Sequence, residues 1–189
     1  MPMNRMHRRL CSSEKWARAV AEWMPDMLGG RELGDDVLEV GAGFGATTAA
    51  LLTYGPPRLT ALEIDAASVR LLRDRFGDDV RVVKGDGADM PFEDGTFSAV
   101  VCFTMLHHIP DKTLQDRLFA EARRVLRPGG LLRGVDSLPS LPFRFLHIGD
   151  TMNVIDPATL PDRLERAGFA RADVTCTPGQ RVMFTAYTT

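Results

Sequence analysis

The sequence predicts an α/β fold: a doubly wound, mostly parallel seven-stranded sheet with a C-terminal antiparallel strand. Three observations predict it. Short apolar runs alternate with segments whose apolar residues recur every three or four positions, the pattern of strands joined by crossover helices. The run 99–103 is apolar throughout, as in a strand buried on both faces. A glycine-rich turn, 41–45, leaves the first such run and enters a helix without an intervening loop.

The elements follow in order. Ser12 or Ser13 can cap a helix whose Trp16, Val20, Trp23 and Met27 share one face. Gly29 and Gly30 end it. The basic residues before it (Arg5, His7, Arg8, Arg9) read as a solvated arm. Strands are expected at 37–40, 59–62, 80–83, 99–103 and 131–135, with helices between them. Asp111 caps the helix that carries Leu114, Leu118, Ala122 and Val125, and Pro128-Gly129-Gly130 stops it. Asp156-Pro157 opens a last helix through Leu160 and Leu164, which Gly168 closes. Two final strands lie near Val174 and Phe184.

Composition narrows the function classes. The 189 residues suit one domain. A net charge of −2 supplies no basic excess for phosphates, so no nucleic-acid partner is expected. The three cysteines (Cys11, Cys102, Cys176) are dispersed and form no C-x-x-C pair, so no metal site and no disulfide framework is expected. No apolar run is long enough to span a membrane, and no apolar leader follows the basic start, so a cytoplasmic protein is expected.

In a doubly wound sheet, ligands bind where the strands end. After the first strand come Glu39 and the turn containing Gly41, Ala42 and Gly43. Glycines there allow a ligand close to the backbone, and the helix that follows favours an anionic group. After the second strand comes Glu63, a carboxylate able to accept from both hydroxyls of a ribose. This pair indicates a nucleoside-containing ligand but fits a dinucleotide equally well. Later stretches separate the two: Asp86-Gly-Ala-Asp-Met-Pro-Phe after the third strand, Glu93-Asp-Gly-Thr-Phe before the fourth, and Arg123-Arg-Val-Leu-Arg-Pro-Gly-Gly before the fifth.

With those motifs the chain resembles the class I, Rossmann-like methyltransferases dependent on S-adenosyl-L-methionine (SAM), in their small-molecule branch. The resemblance runs from about 36 to 136 and resumes weakly at 164–169. It implies that SAM is the cofactor and S-adenosyl-L-homocysteine the product, with a methyl group passed to O, N or C of a small molecule. It divides the chain into an N-terminal lid helix (1–34), a cofactor-binding core (35–136) and a substrate-side loop, helix and terminal strands (137–189).

The resemblance also implies residue roles. Gly41, Ala42 and Gly43 lie against the methionine part, and Glu39 helps hold that end through water or the turn amides. Glu63 takes the ribose, Ile64 packs on the adenine, and Asp86 accepts from its amino group beside Gly87 and Ala88. Phe103 lines the methyl-transfer face. His107 and His108, next to it, are the candidate catalytic bases. His147 reads as a loop residue near the substrate mouth, with no partner. Phe143, Phe145 and Trp16 read as core or roof. The chain is expected to be a monomer or homodimer.

Three other functions fit parts of this pattern. An NAD(P)-dependent oxidoreductase would need a second half that 189 residues do not supply. An RNA methyltransferase is the second: Leu38-Glu-Val-Gly41 and Leu62-Glu-Ile-Asp65 resemble rRNA adenine dimethyltransferases, but those carry an Asn-Pro-Pro-Tyr-like motif after the fourth strand, where this chain has Cys102-Phe-Thr-Met-Leu-His107. A non-catalytic SAM-binding domain shares every motif above.

Overall fold

A computed structural model describes residues 4–177 and 180–189. Among the described residues, seven strands form one sheet in the order β3-β2-β1-β4-β5-β7-β6. The strands are β1 (Asp36–Val40), β2 (Arg58–Glu63), β3 (Arg81–Lys84), β4 (Phe97–Phe103), β5 (Leu126–Ser137), β6 (Arg171–Thr177) and β7 (Arg181–Tyr187). β1 to β5 pair in parallel. β7 inserts antiparallel between β5 and β6. The order reverses between β1 and β4, so the carboxyl ends of those two strands form the switch point where ligands bind.

Alternation along the central strands divides the core in two. Leu38, Val40, Val100 and Cys102 face one side, where α5 (Lys112–Val125) and α7 (Leu160–Arg166) pack through Leu118, Phe119, Leu160 and Leu164. Val37, Ala99, Val101 and Phe103 face the other, against α2 (Glu14–Leu28), α3 (Ala46–Leu52) and α4 (Ala66–Phe76). Ser13 caps α2 by accepting from the Trp16 N–H, and Gly29 ends it in the left-handed region at φ 61°. The buried Arg133 of β5 donates to the carbonyls of Met27 (2.6 Å) and Asp26 (3.3 Å), placing a cation on the last turn of α2.

The fold departs from the sequence reading at four places. The basic N-terminal residues are not a solvated arm. They form α1 (Arg5–Cys11), capped by Asn4, with His7 buried. On α2 the buried face is Val20, Met24 and Met27, while Trp23 stays 37% exposed, because the face follows the 3.6-residue period one position past Trp23. The helix after Asp111 ends at Val125, and the Pro-Gly-Gly stretch lies inside β5, which a register shift near Phe97–Ala99 lets run on. The segment after β5 holds a further helix, α6 (Leu141–Leu146), and α7 begins at Leu160 rather than at Asp156. No described helix is long and apolar enough to cross a membrane.

Candidate functional site

A cavity of about 900 Å³ opens over the switch point. Its floor is the strand ends: the 41–43 turn after β1, Glu63 to Asp65 after β2, Phe103 to Met105 after β4, and Asp136 at the end of β5. Its roof is helical. α1 contributes His7, Arg8 and Cys11, α2 contributes Trp16, Trp23 and Met27, and α6 contributes Phe143 and Leu146.

Glu63 organises the floor. It is 7% exposed, and its two oxygens accept from different backbone amides: Gly43 N–H at 2.8 Å and Asp65 N–H at 2.8 Å. One carboxylate thus joins the glycine turn to the start of α4. Gly41 and Gly43 both have positive φ, 76° and 55°. A side chain at Gly41 would press on Met105, whereas at Gly43 it would project into open space. Gly43 therefore leaves room that a ligand can take against the backbone.

Glu39 does not hold the turn amides. It is buried beneath the turn, where the hydroxyls of Thr47 and Thr48 donate to it, and it is absent from the cavity wall. Glu63 reaches the amide instead because Gly41 pairs with the end of β2, its N–H donating to Leu62. Burial pushes the Glu39 carboxyl up to about 7.

The structure brings Gly41, Ala42, Gly43, Glu63, Ile64, Phe103, His107 and His108 to one cavity. Ile64 presents an apolar side chain that is 48% exposed at the rim. Asp86, Gly87 and Ala88 follow β3, next to the end of β2, and are not on the wall. Asp86 is exposed and accepts from the Ala88 N–H, while Gly87 backs onto Val40 and Leu118.

His107 and His108 lie on a short 3₁₀ turn (Leu106–His108) after β4. Asp136, fully buried, accepts from the His107 backbone N–H (2.7 Å) and pairs with its Nδ1 (2.5 Å). Sequence reasoning missed Asp136, although its place at a strand end was the available signal. It also missed Thr104, whose φ of 54° is unusual for a β-branched residue and lies on the cavity wall. His147 lies in the turn after α6 on the cavity wall, as expected, but it is not without company. It caps α6, is 4% exposed, and packs against His7, His107 and Phe143. Phe145, read as core or roof, is 65% exposed.

Residues 38–133 match the family model described as "Methyltransferase domain". The chain belongs to this family of class I SAM-dependent methyltransferases. It is 37% identical over 109 residues to phthiotriol/phenolphthiotriol dimycocerosates methyltransferase 1 of Mycobacterium ulcerans, covering 57% of this chain and 39% of that one. It is 32% identical over 138 residues to 27-O-demethylrifamycin SV methyltransferase of Amycolatopsis mediterranei, covering 70% and 44%. The chain thus spans about two fifths of the length of the curated relatives it matches. Among solved structures, the PH0226 protein of Pyrococcus horikoshii superposes with a TM-score of 0.80 over 95% of this chain and 94% of that one. At 17% identity that likeness shows the fold of this methyltransferase domain.

Proposed function

We propose that this domain binds SAM in the 900 Å³ cavity and transfers its methyl group to a hydroxyl-bearing, largely apolar small molecule held under α1, α2 and α6. The observation that carries the reading is Glu63. A buried carboxylate that bridges the glycine turn and the next helix start is placed to accept from the two hydroxyls of a ribose. The residues fit the cofactor. The open space at Gly43 admits the methionine part along the backbone, and Ile64 offers an apolar face to the adenine. Asp86 to Ala88 follow the neighbouring strand β3, off the cavity wall. The volume lies at the upper end of small-molecule sites, which suits two ligands side by side.

When bound, SAM supplies a methyl group on an electron-poor sulfonium. The chain supplies position and exclusion of water. Phe103, Met105 and Val135 close the floor beside the switch point, and Trp16, Met27, Phe143 and Leu146 give the acceptor side an apolar wall. Asp136 orients the His107 ring toward that side. Relatives named for phthiotriol dimycocerosates, fatty acids and sterols support an apolar acceptor, and those named for 27-O-demethylrifamycin SV and fatty-acid O-methylation favour an oxygen on it, while the sterol 24-C-methyltransferase acts at carbon.

The test is isothermal titration of the purified chain with SAM and, separately, with S-adenosyl-L-homocysteine. Saturable one-to-one binding of both at micromolar strength supports the reading. Absence of both heats overturns it.

A further inference from the structure

We propose a second site in the same molecule: a divalent transition ion of the zinc class held by His7, His108 and His147 at the acceptor end of the cavity. The chain has four histidines, and the fold gathers all of them. One ring nitrogen from each of His7, His108 and His147 lies within 4.8 Å of the other two. Their ring centroids are 4.4 Å (His7 to His147), 5.1 Å (His7 to His108) and 5.4 Å (His108 to His147) apart. An ion bonded at about 2.0–2.1 Å to each would set the nitrogens about 3.4 Å apart, so the rings draw in by at most about 1.4 Å.

Two independent observations point to a ligand. Among the described residues the buried Nε2 of His147 finds no hydrogen-bond partner, an exception that calls for an explanation. The other nitrogen of two of the rings is already committed to an acceptor, as in metal-bound histidines. His147 Nδ1 donates to the Phe143 carbonyl at 2.8 Å, and His7 Nδ1 donates to Asp150 at 2.8 Å. Each bond leaves Nε2 with its lone pair free. Asp150, whose side chain is 2% exposed, also accepts from the Asn4 backbone and side-chain amides, and an ion beyond His7 would balance its charge.

The protonation state agrees. Burial first, then repulsion among the imidazoles, pushes His108 down to about 2, and burial lowers His147. Neutral imidazoles are the form a metal takes. Three imidazoles without a carboxylate ligand select zinc, cobalt or nickel over magnesium or calcium. A three-histidine set leaves a fourth tetrahedral position, and all three residues line the cavity. That position suits an oxygen of the methyl acceptor, an assignment that rests on the proposed function.

The experiment titrates the chelator-treated 189-residue chain with Zn²⁺, Co²⁺ and Mg²⁺, by calorimetry and by the visible absorption of bound cobalt. Expected are one equivalent of Zn²⁺, a tetrahedral cobalt spectrum, no response to Mg²⁺, and ten-fold or greater weakening in His147→Gln and in His108→Gln. Circular dichroism confirms that each variant is folded, and His108→Gln stands in if His147→Gln is not. Glu63→Ala should keep its zinc while losing SAM, so the two readings fail separately. No zinc binding, unchanged binding in both histidine variants, or loss of binding in Cys176→Ser would overturn the site.

Discussion

At the scale of single residues, two buried carboxylates do opposite things. Glu63 meets the cavity with both oxygens already holding backbone amides, so a ribose would add charge-assisted bonds worth about 1.5–3 kcal/mol each. Glu63→Ala should therefore weaken SAM binding ten-fold or more in calorimetry. Unchanged affinity would mean the ribose lies elsewhere. Glu39 lies under the turn, and burial raises its carboxyl from 4.5 to about 7. A raised folded-state value favours folding with the group protonated. That contribution is complete below about pH 4.5 and is lost as pH rises through 7. Glu39→Gln removes the penalty of the buried charge, so it should be more stable than the parent at pH 8, by about 1–3 kcal/mol, and no more stable at pH 4. Denaturant melts at the two pH values check this. An equal difference at both would show that the hydroxyl bonds from Thr47 and Thr48, not the charge, govern this position.

At the scale of elements, the roof is joined by caps. Asn4 accepts from the His7 N–H to cap α1, and its own amide donates to the Leu146 and Ile148 carbonyls beside α6. Ser13 accepts from Trp16 and donates to the Leu10 carbonyl, tying α2 to α1. α1 has seven residues and only His7 is buried, so the Asn4 cap and the His7–Asp150 pair are its main ties to the roof. Loss of an N-cap costs about 1 kcal/mol. Asn4→Ala should accordingly speed amide exchange in α1 about five-fold and leave exchange in β1 and β4 unchanged. Unaltered exchange in α1 would show that the cap does not hold the roof. The same elements mark what was legible in the sequence. Strand-end rules are local, so the glycine turn, Glu63 and Phe103 could be read from their neighbours in the chain. α1 could not, because its helix rests on a cap whose other partners are more than 140 residues away. The histidine cluster was equally hidden. His7, His108 and His147 come from three elements, and no spacing rule connects them.

At the scale of the molecule, the reversed strand β7 decides whether the cavity floor is held. β7 pairs with β5 from Leu131↔Tyr187 to Ser137↔Arg181, which fixes Asp136 opposite Val182 and brings Gln180 and Arg181 to the cavity wall. At the middle of this ladder Gly134 faces Phe184, and the phenyl ring occupies the space a side chain at 134 would need. A Cβ at 134 would collide with the ring, while Phe184 itself is fully buried against Phe119 and the rest of that core. Glycine is thus required here by close approach rather than by its backbone angles. Gly134→Ala should lower stability by about 1–3 kcal/mol through overpacking, equivalent to about 3–10 °C in Tm for a chain of this size. Phe184→Leu alone should also destabilise, by opening a small cavity. Because the two residues share one space, the double variant should lose less than the sum of the single losses, by 0.5 kcal/mol or more in a double-mutant cycle. Simple additivity would show that the ring does not depend on the missing side chain. In that case the insertion of β7, and with it the placement of Asp136 and His107, would have to be held by the ladder hydrogen bonds alone.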